Sequence, residues 1–108
     1  MSLIKVVKHG NKFVSFSITG HSGFSRHGTD IVCAAVSAVT QTSIIGLLRV
    51  ANIAPVIIKK SGLLSVEIPL EVQERLDIFV ILSTMVEGIR DLQKQFPKHI
   101  SLEEVNHE

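Results

Sequence analysis

Apolar and polar residues alternate through Ile4 to Lys8 and again through Phe13 to Thr19, with His9-Gly10-Asn11 as turn-forming residues between them, which predicts a β-hairpin. Thr19 to Thr29 is a loop by composition, with Gly20, Gly23 and Gly28 set among serines and histidines. Thr29 or Asp30 then caps a predicted helix that runs to about Ala51, and apolar residues occupy nearly every face of it, which places it in the middle of the core. Pro55 opens a second hairpin, with Val56 to Lys59 and Leu63 to Ile68 as strands around a Lys60-Ser61-Gly62 turn, and Pro69 closes it. Val72, Leu76, Phe79, Val80, Met85, Val86, Ile89, Leu92 and Phe96 recur at helical spacing and predict a long amphipathic helix over Glu71 to Gln95. Its acids come early and Lys94 comes late, as the helix dipole favours. Pro97 stops this helix, and Ile100, Leu102 and Val105 predict a last strand. The order β-β-α-β-β-α-β describes an α+β fold, two long helices packed with antiparallel strands.

A chain of 108 residues without repeats, low-complexity segments or linkers reads as a single domain, residues 1–108. Its hydrophobic content of 45% and mean hydropathy of +0.37 exceed what the interior of a small monomer takes up, so apolar surface is left over and a homodimer is expected. The stretch Ile31 to Ile53 is long enough to span a bilayer, but Ser37, Thr40, Gln41, Thr42 and Ser43 in its middle favour a buried globular helix, and no membrane partner is expected. Lys5, Lys8 and Lys12 interrupt the N-terminal run where a signal peptide would be apolar, so a cytoplasmic location is expected. With Arg26 these cations precede the first acid, Asp30, and make the front of the chain basic, either as a solvated face or as a surface for RNA or another anionic partner.

A single cysteine excludes an intramolecular disulfide and a thiolate zinc finger, leaving Cys33 as either core filler or a reactive group. Cysteine attacks as the thiolate, and Cys33 falls in the predicted first turn of the long helix, where backbone N–H groups and the dipole favour negative charge. The same N–H groups are candidates to hold the oxyanion that forms when a carbonyl is attacked. A nucleophilic thiol also needs a proton acceptor near neutral pH, and His21 and His27 lie in the preceding loop. Gly20 and Gly23 flank His21 and allow the chain to fold back over the helix start, while the glycine content predicts a flexible loop. Asp30 either orients the imidazole or caps the helix. Ser37, one turn beyond Cys33, either supports the site or bonds a preceding carbonyl. A metal held by His21, His27 and Cys33 lacks a fourth ligand, and a phosphate cradled by the loop lacks a Walker lysine or dinucleotide fingerprint, so no cofactor and no metal are expected.

Gly20-His21-Ser22-Gly23-Phe24, His27-Gly28 and Asp30-Ile31-Val32-Cys33-Ala34-Ala35-Val36-Ser37 together resemble the signature of the ribosomal-processing cysteine protease family Prp, also called YsxB-like. The likeness covers essentially the whole chain; Ser22 departs from it, standing where many relatives have alanine. The resemblance implies an endopeptidase that removes a short hydrophobic and aromatic N-terminal extension from large-subunit ribosomal protein twenty-seven, a step needed for ribosome maturation. It also implies a homodimer, Cys33 as nucleophile, His21 as general base, and Gly20, Asp30 and Ser37 as supporting residues. A binding module that associates with ribosomes without turnover is the alternative, motivated by the basic opening hairpin.

Overall fold

Residues 1–20 and 30–107 are described by the computed structural model. The first alternating run becomes β1 (Ser2–His9) and the second β2 (Lys12–Thr19), paired antiparallel. Their register slips between Val7, opposite Ser15, and Lys8, opposite Phe13, so Val14 is an extra residue on β2. This bulge has a packing consequence. Residues three apart on a regular strand face opposite sides, whereas the extra residue turns both Phe13 and Phe16 into the core, where they are 2% and 1% exposed. The Val14 carbonyl accepts a hydrogen bond from Ile68 N at 2.9 Å.

The second hairpin forms as β3 (Val56–Lys60) and β4 (Leu63–Glu67), and β4 joins β2 antiparallel. With the last strand, β5 (Ile100–Asn106), they make one five-stranded sheet in the order β3-β4-β2-β1-β5. Here the all-antiparallel expectation fails, because β5 pairs with β1 in parallel, from Ser2 opposite Ile100 to Lys8 opposite Asn106. Tight hairpins force antiparallel neighbours, but β5 reaches β1 through a helical crossover, which permits the parallel direction. The sheet is therefore mixed, and the element order is the expected one.

The first helix, α1 (Ile31–Ile45), continues as a wider π-type turn over Gly46–Val50, closed by Ala51 N donating to Gly46 O at 2.9 Å. Gly46 is where α1 meets the second helix: a Cβ there would lie 3.3 Å from Ile81 Cγ2. Contrary to the sequence expectation, α1 does not lie in the middle of the core. Val32, Val36, Thr40, Ser43, Ile44 and Leu47 are buried, whereas Ile31, Ile45, Leu48 and Val50 are exposed, and only 33% of the apolar span Ile31–Val50 is buried. The reason is architectural. Both helices pack on the sheet face that carries Ile4, Val6, Phe16, Leu64, Val66 and Ile100, so among the described residues α1 is covered by the sheet and by the second helix and is open on its outer side. By length and composition this span is also apolar enough to cross a membrane. Its buried Thr40 and Ser43 satisfy their hydroxyls within the helix, by donating to Val36 O and Val39 O at 2.9 Å each.

The second helix, α2 (Leu76–Gln95), begins later than the predicted Glu71, after a single 3-10 turn over Leu70–Val72. Two side chains tie the intervening segment to its neighbours: Gln73 Nε2 donates to Ile68 O at 2.9 Å and Arg75 Nη2 to Ala51 O at 2.8 Å. Arg75 is extended (φ −70, ψ 135). The buried stripe of α2 is Ile78, Leu82, Met85, Val86 and Ile89; Leu76 and Val80, counted with it by spacing, are 74% and 51% exposed. Arg75 thus links the end of α1 to the start of α2, and it also bonds Asp77 Oδ2 at 2.6 Å, while Asp77 Oδ1 accepts Ile78 N at 2.9 Å. The side-chain hydrogen bond from Arg75 holds the Asp77 carboxyl below its ordinary range. A depressed carboxylate contributes stability that is present above its unfolded pKa and is lost as pH falls through the folded one. Asp77→Asn should therefore lower the melting temperature at neutral pH, and its gap from wild type should close as the solution is acidified below about pH 4.

Candidate active site

Cys33 is the third residue of α1, and the residue that starts the helix is Asp30. Its backbone is extended (φ −76, ψ 111) and its Oδ1 accepts Val32 N at 2.9 Å and Cys33 N at 3.1 Å. Asp30 is 7% exposed, and its own carbonyl accepts Ala34 N at 3.1 Å. Of the two roles open to Asp30, the structure shows the cap. It also revises the expectation of an oxyanion site, because the N–H groups of Val32, Cys33 and Ala34 are already occupied by Asp30.

The half-buried thiol faces a cavity of about 190 Å³. Along α1 the cavity is lined by Cys33, Ser37 and Gln41, each one helical turn from the last, with Val36 and Thr40 beside them. The opposite wall comes from the end of β2, with Ile18 and Gly20, and from the β3–β4 hairpin, with Lys59, Lys60, Gly62, Leu63 and Leu64. An apolar floor bordered by the thiol of Cys33, the hydroxyl residues Ser2, Ser37 and Thr40, the amide of Gln41 and the lysine-bearing end of β3 suits an organic ligand held by few polar anchors. Gly20 is fixed by its surroundings: its N–H donates to Gly62 O at 3.0 Å, its φ is 79, and a Cβ would come within 2.6 Å of Met1 O. The end of β2 is thereby pinned to the turn of the neighbouring hairpin.

The structure thus brings together Cys33, Ser37 and Gly20 around one cavity, with Asp30 at the base of the helix turn that carries the thiol. Ser37 is exposed, and among the described residues its hydroxyl makes no hydrogen bond, although its carbonyl accepts Thr40 Oγ1 at 3.2 Å; the hydroxyl-to-carbonyl bonds considered for it are made by Thr40 and Ser43 instead. His21, Gly23 and Gly28 lie outside the described residues, as do Phe24, His27 and Thr29. Gln41, Lys59 and Lys60 were missed in the sequence. Gln41 was findable, since it continues the four-residue spacing from Cys33 through Ser37. The lysines sit in a distant hairpin and only the sheet order brings them to the thiol. Two cations of the basic front segment are engaged locally: Lys8 Nζ lies 4.8 Å from the Phe13 ring centroid, and Lys12 Nζ is 3.4 Å from Glu74 Oε1.

A small α+β domain that offers one cysteine, seated in the first turn of a helix, to an apolar groove has the frame of a thiol-dependent hydrolase. The sequence profile of the family described as cysteine protease Prp matches residues 1–101, and the chain belongs to that family. It is similar to the ribosomal processing cysteine protease Prp of Bacillus subtilis (strain 168), with 26% identity over 96 residues, covering 85% of this chain and 86% of that protein. Among solved structures it resembles an essential ribosomal processing protease Prp from S. aureus in complex with a covalently linked product peptide, with a TM-score of 0.89, 21% identity, and coverage of 96% and 99% of the two chains. It also resembles the same S. aureus protease in complex with a substrate peptide, with a TM-score of 0.82 and 20% identity over 96% of this chain and 99% of that one. The fold is shared at that level, and the protein is a cysteine protease of this family.

Three substitutions separate the cap from the glycine pin. Asp30→Ala should cost about 1 kcal/mol of stability in chemical denaturation, and Asp30→Asn should recover most of it, because an amide oxygen still caps. Gly20→Ala should cost at least as much, about 1–2 kcal/mol from the left-handed backbone alone, with the clash against Met1 O added to it.

Proposed function

We propose that this chain is a ribosomal processing endopeptidase that cuts the N-terminal extension from large-subunit ribosomal protein twenty-seven through a Cys33/His21 dyad. The observation that carries this reading is the half-buried Cys33 thiol opening on an apolar cavity rimmed by Gly20 and Ser37, in a chain of the cysteine protease Prp family. The relatives named as ribosomal processing proteases support the substrate class. In the proposed reaction His21 takes the thiol proton as Sγ attacks the scissile carbonyl carbon. The tetrahedral intermediate collapses by breaking the C–N bond, and His21 returns the proton to the leaving amine. Water, deprotonated by His21, then attacks the thioester and releases the carboxylate with the free thiol. Asp30 supports the site by fixing the helix turn under Cys33, and Gly20, Gly23 and Gly28 serve the backbone of the loop that carries His21. The chemistry uses no cofactor or metal.

The same reading includes a cytoplasmic homodimer. Ile31, Ile45, Leu48 and Val50 leave an apolar surface on the outer side of α1, of the kind a second copy covers. The engaged positions of Lys8 and Lys12 weigh against the non-catalytic RNA-binding alternative.

A peptide spanning the extension and the mature start of the ribosomal protein should be cut once by the wild type. Cys33→Ala should reduce cleavage to background, and His21→Ala should slow it by at least about 100-fold with the melting temperature unchanged. A Cys33→Ala protein that still cuts would overturn the assignment. For the dimer, sedimentation equilibrium should give twice the chain mass for the wild type and the chain mass for an Ile45→Glu, Leu48→Glu double variant.

A further inference from the structure

The sheet has two edges, and they are treated differently by the sequence. On the β5 edge, Glu103 and Glu104 place charges in mid-strand, and Asn106 is tied to Gly10 through bonds of 2.9 and 3.1 Å. Charged side chains of this kind discourage another strand from pairing. The β3 edge has no such protection along most of its length. Among the described residues it pairs only with β4, all five of its residues are exposed, and Val56, Ile57 and Ile58 are three consecutive β-branched residues without a charge or a proline. Its only charges, Lys59 and Lys60, stand at the end where β3 reaches the cavity that contains Cys33.

An unprotected, β-prone edge that runs into a nucleophile's cavity is a template for an extended chain. We propose that the substrate peptide binds as an added strand along β3, with its scissile bond at the Lys59–Lys60 end beside Cys33. This rests on the protease reading and specifies how that site holds its substrate. Main-chain hydrogen bonds to the open edge supply affinity, and alternate side chains supply selectivity. Register identifies the side-chain rows. Ile57 lies opposite Val66, which lies opposite Phe16, so a peptide side chain beside Ile57 extends the row that forms the core. Lys59 lies opposite Leu64, and both line the cavity, so the next inward side chain meets an apolar floor with an ammonium group at its rim. Five residues of strand reach about 17 Å, so the contact covers roughly five residues on one side of the cut. The favoured substrate is therefore an extended segment with apolar residues at every second position, not a helix or a single recognition side chain.

The test modifies the peptide and leaves the protein fold alone. Fluorescently labelled peptides spanning the ribosomal protein extension, each N-methylated at one successive residue, are titrated into full-length Cys33→Ala protein, and affinity is read by anisotropy. Methylation should weaken binding about tenfold or more at every second residue on one side of the cut and little at the residues between. Uniform sensitivity, sensitivity confined to one residue, or no binding would overturn strand addition. The unmethylated peptide with wild-type protein reports cleavage separately, so alternating affinity without any cut would sink the protease reading and leave the edge site standing. A dimer that is abolished by Ile57→Lys and unaffected by saturating peptide would give the edge to a second copy and overturn the proposal.

Discussion

The Asp30 carboxylate, by accepting Val32 N and Cys33 N, sets where α1 begins, and the position of the thiol depends on it. The start of a helix leaves N–H groups without intrahelical partners, and here the polar partner is itself buried at 7% exposure. Once the helix starts there, burial sets its rotation. Val32 and Val36, at 0% and 3% exposure, turn inward to the sheet, so Cys33 and Ser37, each one residue further on, are carried round to the cavity. The cap and the core thus fix two independent coordinates of the Cys33 thiol, its height along the axis and its angle around it.

The two-layer architecture explains the chain's surplus of apolar residues. A helix between two sheets would bury all its faces, but α1 has the sheet beneath it, α2 beside it and solvent on its remaining side. Its outer residues therefore stay exposed although they are as apolar as the inner ones, and β3 stays open because no element among the described residues lies beyond it. Hydrophobicity in excess of the core has been placed at two surfaces, the outer side of α1 and the free edge of the sheet. The cavity lies between the helix and the strand that own them.

Much of this was legible in the sequence where one local signal sufficed. Both hairpins follow from alternation broken by Gly10-Asn11 and Ser61-Gly62, and the position of Cys33 in the first helical turn follows from Asp30 three residues before it. Failures arose where a distant partner decides. The late start of α2 depends on Arg75 reaching the carbonyl of Ala51, which no periodicity encodes. The half-exposed α1 looks central by sequence because its apolar residues on both sides erase the contrast by which amphipathicity is recognised. The parallel pairing of β5 and the arrival of Lys59 at the cavity depend on sheet order, which the residues of those strands do not specify locally. The bulge at Val14 became legible only in retrospect, from two core phenylalanines three residues apart.

The cap that positions the thiol also constrains its chemistry. With Val32, Cys33 and Ala34 N–H directed to Asp30, the first turn has no donor from those three residues for a developing oxyanion. In the proposed reaction the helix end therefore serves placement more than activation, and the favourable charge must come from elsewhere. In that proposal the imidazolium of His21 supplies the charge, and Lys59, which lines the cavity, adds to the same field. The proposed dyad is complete only when both residues are in place. In that reading activity depends on the contact between the end of β2 and the β3–β4 turn, where Gly20 N, just before His21 in the chain, meets Gly62 O, as directly as on the thiol itself.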